Sequence, residues 1–150
     1  MTKHAIDLHS IDAIIGALYR AISGPPGGQD WELERLIHHP DARMVRTRIE
    51  NGKPIAYSFG LEQFIANGKE LLRGRSFYEI EIARKTVRFG NVAQVFSAYE
   101  AKETPESPTL IKRGMNMIHL YDDGTRWWVM HVIWDDERDG VHLPPQNFFD

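Results

Sequence analysis

Apolar positions in the first half of the chain recur at helical spacing, while those in the second half gather in runs of strand length. Ile11, Ile14, Ile15, Leu18 and Ile22 fall on one stripe, which predicts a helix from Ile11 to Ile22. Ser10 suits its N-cap, Asp12 the positive end of its dipole, and Gly24-Pro25-Pro26 ends it. A second helix begins after Asp30, with Glu32 and Glu34 in its first turns and Leu33, Leu36 and Ile37 as its apolar face. It must stop before Pro40, because a residue preceding proline is pushed out of the helical region. Met44 to Ile49 reads as a strand, and Asn51-Gly52 is a strong hairpin signal that brings Ile55 to Phe59 back beside it. Leu61, Phe64, Ile65, Leu71 and Leu72 share one face of a third helix; Gly68 lies on that face as a point of close packing, and Gly74 terminates it.

Beyond the third helix only strands are predicted. Phe77 to Phe89, Val92 to Lys102, Leu110 to Tyr121 and Arg126 to Trp134 are rich in β-branched and aromatic residues. Gly90-Asn91 and Asp123-Gly124 mark tight hairpins, and residues 104–109 form a longer loop. The tail from Asp135 to Asp150 is polar and proline-containing, with Phe148 and Phe149 available to dock on a neighbour. No internal repeat or second domain is visible, so residues 1–150 form one domain. Helices followed by a long antiparallel meander define an α+β fold, a curved antiparallel sheet with three N-terminal-half helices on its concave face.

Two-residue loops at both hairpins give a definite register. Met117 then faces Met130, Met115 faces Val132, His119 faces Trp128 and Arg113 faces Trp134, while Arg84 pairs with Ser97 and Ile82 with Tyr99. The inward set becomes Tyr78, Ile80, Ile82, Arg84, Ser97, Tyr99, Arg113, Met115, Met117, His119, Trp128, Met130, Val132 and Trp134, an apolar and aromatic lining with a few polar groups. Asn116, His131, Ile118, Val129, Leu120, Trp127, Glu79 and Glu81 fall on the outer face. A bulge at either hairpin would invert these faces. The outer face is also apolar at Ile118, Leu120, Val129 and Trp127, so it needs its own cover, and a homodimer through that face is expected.

The formal net charge of −3, with acids and bases mixed along the chain, argues against a nucleic-acid binder. The absence of cysteine excludes disulfides and thiolate metal sites. No apolar run reaches membrane-spanning length and no leader segment is evident, so a cytoplasmic protein without membrane attachment is expected.

Several stretches carry a family resemblance: Ala17-Leu-Tyr-Arg-Ala-Ile-Ser-Gly24, Asp30-Trp31, His39-Pro-Asp-Ala-Arg43, Arg88-Phe-Gly-Asn-Val-Ala-Gln-Val-Phe-Ser-Ala-Tyr-Glu100 and Asp123-Gly-Thr-Arg-Trp-Trp128. With the element order, they resemble the nuclear-transport-factor-two-like superfamily, in particular its SnoaL-like branch and a bacterial group without assigned activity. The resemblance covers nearly the whole chain. It implies a cone-shaped α+β barrel with a pocket between three helices and the concave sheet, dimeric through the sheet's outer side. Such folds serve cyclases, isomerases, dehydratases, hydrolases and non-catalytic adaptors, so fold does not fix function. The ketosteroid isomerase pattern would place its base near Arg46 and its protonated aspartate near Met117; neither side chain can do that work, which disfavours a steroid isomerase. Tyr19 lies one position from that pattern's oxyanion tyrosine.

The register makes His119 the candidate general base, with Arg113 and Tyr99 beside it to stabilise developing negative charge. Arg84, Tyr19, Trp31, Asp41, Met117, Trp128, Met130 and Trp134 are the candidate substrate-binding residues. Each has a plainer reading: a hydrogen-bonded histidine in a wet cavity, arginines paired with Glu81 or Asp41, a turn-capping Asp41, and tryptophans packed as core. His38-His39 reads as a pair at a helix end interacting with the dipole rather than as metal ligands, and no metal site or other cofactor is expected. Ser23-Gly-Pro-Pro-Gly-Gly28 lacks the Lys-Ser/Thr ending of a phosphate loop and reads as a rigid connector. The expected ligand is a small apolar or aromatic molecule. Cofactor-free acid/base isomerisation, cyclisation or dehydration is the expected chemistry; a non-catalytic ligand-binding or dimeric scaffold module is the alternative.

Overall fold

The computed structural model describes residues 5–150. Its elements follow in the order α1 (Ile11–Ile22), α2 (Trp31–Ile37), β1 (His38–Glu50), β2 (Lys53–Gly60), α3 (Leu61–Leu72), β3 (Tyr78–Phe89), β4 (Val92–Lys102), β5 (Lys112–Asp122) and β6 (Trp127–Asp136), closed by a short 3₁₀ turn at Gln146–Phe149. The strands form one curved sheet in the order β2-β1-β6-β5-β4-β3. All neighbours are antiparallel except β1 and β6, which makes the sheet mixed. Three helices lie against one face, the α+β arrangement expected from the chain.

Local chemistry accounts for most boundaries. The Ser10 side chain accepts from the Ala13 amide at the start of α1, and Asp30 accepts from Leu33 at the start of α2. Asn51 and Gly52 both adopt positive φ, 51° and 75°, as the two-residue turn between β1 and β2 requires. An added Cβ at Gly68 would lie 2.5 Å from the Trp31 ring, so this glycine lets the outer edge of the indole approach α3. Strand β1 starts at His38, six residues before its predicted start. Pro40 is accommodated there because the β1–β6 pairing is irregular between His38 and Arg43.

The register departs from expectation at two places. The Asp123-Gly124 turn spans four residues, since Asp122 pairs with Trp127. Asp123 dictates this: its Oδ1 accepts from the amides of Thr125 and Arg126 at 2.7 and 2.9 Å, and its Oδ2 accepts from the Trp128 indole at 2.9 Å. A further irregularity between His119 and Leu120 leaves Met130 unpaired, so Ile118 meets Val132 and Asn116 meets Trp134. In β3 the Gly90-Asn91 hairpin holds as far as Ala83–Ala98. The pairing then slips past Ile82, and Glu81 meets Tyr99.

The face that the β5–β6 hairpin buries is the opposite of the expected one. Ile118, Leu120, Val129 and Trp127, expected outside, are buried in the core with Tyr19, Ile65 and Met44. Met117, expected inside, is 41% exposed on the convex face, and Ile82 is likewise exposed. The tail turns back onto its own sheet: Phe148 packs edge-on against Phe96 at 5.3 Å, with Lys85 over its ring.

Candidate active site in the concave face

Between the three helices and the concave sheet lies a cavity of about 510 Å³. Leu18 and Ile22 of α1, Phe64, Asn67, Gly68, Leu71 and Leu72 of α3, Met44, Tyr57 and Phe59 of the first hairpin, and Val132 and Trp134 of β6 form its walls. Trp134 is held edge-on by Phe64, with ring centres 6.3 Å apart. The polar groups that reach this cavity are Glu34 and His38 from the α2–β1 junction, Glu79 from β3, Asn116 from β5, and Arg46, Arg48, Arg75 and Lys112.

Glu34 sits on the buried side of α2 beside Leu33 and Ile37 and is only 2% exposed. Burial and the nearby Glu79 push its carboxyl up to about 8, so it is protonated at neutral pH. Its Oε2 has no hydrogen-bond donor, though His38 Nδ1 lies 3.2 Å away. His38 is equally buried; burial drives its pKa down to about 4, which keeps the ring neutral. Nδ1 lies 2.9 Å from the Glu34 carbonyl and acts as the donor there, which leaves the lone pair on Nε2.

Glu79 is the second acid. Its carboxyl is enclosed by protein, and burial raises it to about 7 even though Lys112 and a hydrogen bond from Asn116 favour the charged form. Asn116 is itself fixed from behind: its Nδ2 donates to the Tyr19 hydroxyl at 3.1 Å. The Tyr19 hydroxyl lies 2.6 Å from that of Ser97, which donates to Glu81. A directed chain of hydrogen bonds thus runs from Asn116 through Tyr19 and Ser97 and ends on Glu81, which also accepts from Arg84; Arg84 donates to Glu81 and to Asp12 at 2.5 Å. Burial holds Tyr19 well above the usual phenol range, so it remains a neutral relay.

The predicted site residues divide sharply. Tyr99 and Trp134 lie on the helix side of the sheet, Tyr19 reaches from α1 to Ser97 and Asn116, and Trp134 alone of the three lines the cavity. The Tyr99 hydroxyl donates to Asp136 at 2.5 Å, and Gly114 makes room for it: an added Cβ there would meet that hydroxyl at 2.5 Å. Arg84 is inward but paired with Glu81 and Asp12, away from the cavity lining. His119 and Arg113, expected inside, lie on the convex face, because the one-residue bulge at Met130 sets Asn116 and Ile118, not Arg113 and Met115, on the face of Trp134 and Val132. There His119 bonds Gln94 at 3.0 Å and stacks on His131, and Arg113 pairs with Glu100. Met117 and Trp128 turn outward with them; Trp128 meets His39 edge-on and carries Arg126 over its ring. Met130 is the bulged residue and Asp41 an exposed one near His39, so neither reaches the cavity. Trp31 packs on Gly68 from the side away from the cavity lining.

The sequence reading missed Glu34, His38, Glu79 and Asn116 as site residues. Glu34 left a signal, since it shares the helical face of Leu33 and Ile37. Glu79 left none, because it turns inward only through the slip at Ile82; Asn116 left one, since it shares its strand face with Ile118 and Leu120 across a regular pairing with β4. No group of three His, Asp or Glu side chains among the described residues is placed to hold a metal ion.

No protein-family model and no curated protein matches this sequence. Solved structures do match it. A protein of unknown function from Mycobacterium tuberculosis, Rv3472, superposes with a TM-score of 0.66 at 16% identity, over 85% of this chain and 70% of the other. A nuclear-transport-factor-two-like superfamily protein from Salmonella enterica gives 0.62 at 13% identity, over 88% and 92%. The chain has the nuclear-transport-factor-two-like fold. A Shewanella frigidimarina protein with a provisional ketosteroid isomerase name shares this fold at a TM-score of 0.54 and 16% identity, over 81% and 91%. At these identities the nuclear-transport-factor-two-like fold is what is shared, and the chemistry must be argued from the residues of the cavity.

The raised Glu34 acid makes stability depend on pH in a definite direction. The folded protein keeps this proton up to about pH 8, whereas the unfolded chain releases it near its ordinary value of 4.5. Between those values the folded state binds more protons, so the stability contributed by the neutral acid falls as pH rises through that window. Glu34→Gln removes the titration. In urea unfolding at about pH 5 and about pH 8.5, its stability relative to the parent should rise with pH. A difference that stays constant over that range would contradict the buried-acid assignment.

Proposed function

We propose that this protein binds a small apolar or aromatic molecule in the concave cavity and moves a proton on it without a cofactor, as an isomerase, cyclase or dehydratase does. The observation that carries the reading is the pair of acids, Glu34 and Glu79, held near neutrality at the buried end of an apolar cavity. A carboxyl that titrates near the working pH is suited to take or give a proton. Glu79 is the base, and Glu34, held as the neutral acid, is the donor to oxygen that gains negative charge; Asn116, with its two N–H groups on Tyr19 and Glu79, orients the base. Tyr19 and Ser97 are positioning residues that act through Asn116.

The expectation that His119 moves the proton is replaced by Glu79, because His119 lies on the opposite face of the sheet. Proton exchange on an enolisable apolar ketone provides the test. In deuterated buffer, the protein should accelerate α-carbon deuterium uptake by β-tetralone, followed by NMR. Glu79→Gln should lose about a hundredfold of that acceleration, and His119→Ala should keep it. Uptake at the buffer rate with the parent protein would leave the non-catalytic ligand-binding module as the better reading; loss in His119→Ala would restore the original assignment.

The homodimer expectation now rests on different residues. Ile82, Val87, Met117 and Tyr121 are each about 40 to 50% exposed on the convex side of β3 and β5. Pairing of two convex faces would cover them. Light scattering should then report a dimer for the parent and a monomer for Met117→Glu; a monomeric parent at micromolar concentration contradicts this interface.

A further inference from the structure

Two arginines at the cavity mouth have no acid to answer them. Arg46 of β1 and Arg75, in the bend after α3, both line the cavity, and neither forms a hydrogen bond or ion pair among the described residues. The other two cations of the lining are partly neutralised: Arg48 meets Glu50 at 3.3 Å, and Lys112 lies 3.7 Å from Asp136. Against these four cations the lining holds two acids, the buried Glu34 and the half-buried Glu79 with Lys112 near it, while Arg46, Arg48 and Arg75 are exposed.

The cavity is therefore polarised. A buried acid end leads through a wall of Leu18, Phe59, Phe64, Leu71, Phe77 and Trp134 to an exposed basic rim. A guanidinium presents a planar fork of donors that matches a carboxylate, and two unpaired forks at one mouth form a receptor for one. At the inner end the one cation, Lys112, is already shared with Asp136 and Glu79, so the unpaired guanidiniums at the rim decide the orientation of entry.

We propose that the ligand is an amphiphilic carboxylate: an apolar, ring-bearing body inside the cavity, with its carboxylate held at the rim by Arg46 and Arg75. This inference rests on the cavity being the ligand site, as proposed above, and not on proton transfer. The orientation places the end of the body remote from the carboxylate beside Glu79 and Asn116, so the reacting carbon is distal to the acid group.

Matched acid and amide probes separate the charge contribution from that of the body. Isothermal titration should show β-naphthoate binding about tenfold tighter than β-naphthamide to the parent protein, a preference that shrinks with added salt. In the Arg46→Gln, Arg75→Gln double variant the preference should vanish while amide affinity stays unchanged. Both positions are exposed, and Arg75→Gln alone should show part of the effect. Equal affinity of acid and amide for the parent, or a preference that survives the double variant, overturns the carboxylate proposal and leaves the cavity reading standing. Failure of both probes to bind overturns both.

Discussion

Where β3 meets β4 the pairing slips by one residue at Ile82, and the chemistry of the cavity follows from that slip. Below it, Glu79 and Glu81 turn toward the helices, and Ile82 turns out. Glu81 then receives Arg84 and Ser97 and closes the hydrogen-bond chain that holds Tyr19 and Asn116. Glu79 forms no such ion pair, and Lys112 offsets only part of the effect of its burial. Its carboxyl is left desolvated beside Asn116, which makes it a proton acceptor near neutral pH instead of a permanent charge. The same strand thus supplies one acid that is neutralised for structure and one that is left titratable. The end of α1 pins this segment in place: the Ser23 hydroxyl accepts from the Glu79 amide at 3.0 Å, and Gly24 bridges to Phe77.

Burial of Glu34 works from the opposite side. Two carboxyls that sense one another in a poorly solvated space cannot both ionise near neutrality without cost, so their titrations separate. Glu34, enclosed on the buried face of α2 beside a neutral His38, is the one that keeps its proton. A ligand that displaces water from the cavity would sharpen this division, since desolvation penalises the charged form further. The basic rim works in the other sense: its charges stay solvated and cheap until a ligand anion arrives.

The helices, the Asn51-Gly52 turn and the Gly90-Asn91 hairpin were all legible in the chain, because each rests on local chemistry such as a cap, a positive-φ turn or a helical stripe. The α+β class followed from their order. What was not legible lay in pairings that no local signal announces. Asp123-Gly124 has the composition of a two-residue turn, yet the Asp123 carboxylate captures the amides of Thr125 and Arg126 and widens it to four. That widening keeps every face as it was; the one-residue Met130 bulge is what places Asn116, rather than Arg113, beside Trp134 and leaves His119 and Met117 on the convex face. In β3 the alternation of Glu79, Ile80, Glu81 and Ile82 favoured isoleucines inward, and one bulged residue reversed it. Glu34 was within reach of sequence reasoning, as an acid on an apolar helical face.

The account stands on two carboxyls whose protons are held by the cavity rather than released to water. The most direct measurement is a carbon-detected NMR titration of protein labelled at the glutamate carboxyl carbons, assigned with Glu34→Gln and Glu79→Gln. The predicted result is two resonances that keep the protonated shift well above the ordinary glutamate range and titrate close to about 7 and about 8, with the higher step lost in Glu34→Gln. Titration of both carboxyls near the ordinary value of 4.5 would contradict the account and remove the base and the acid from the cavity together.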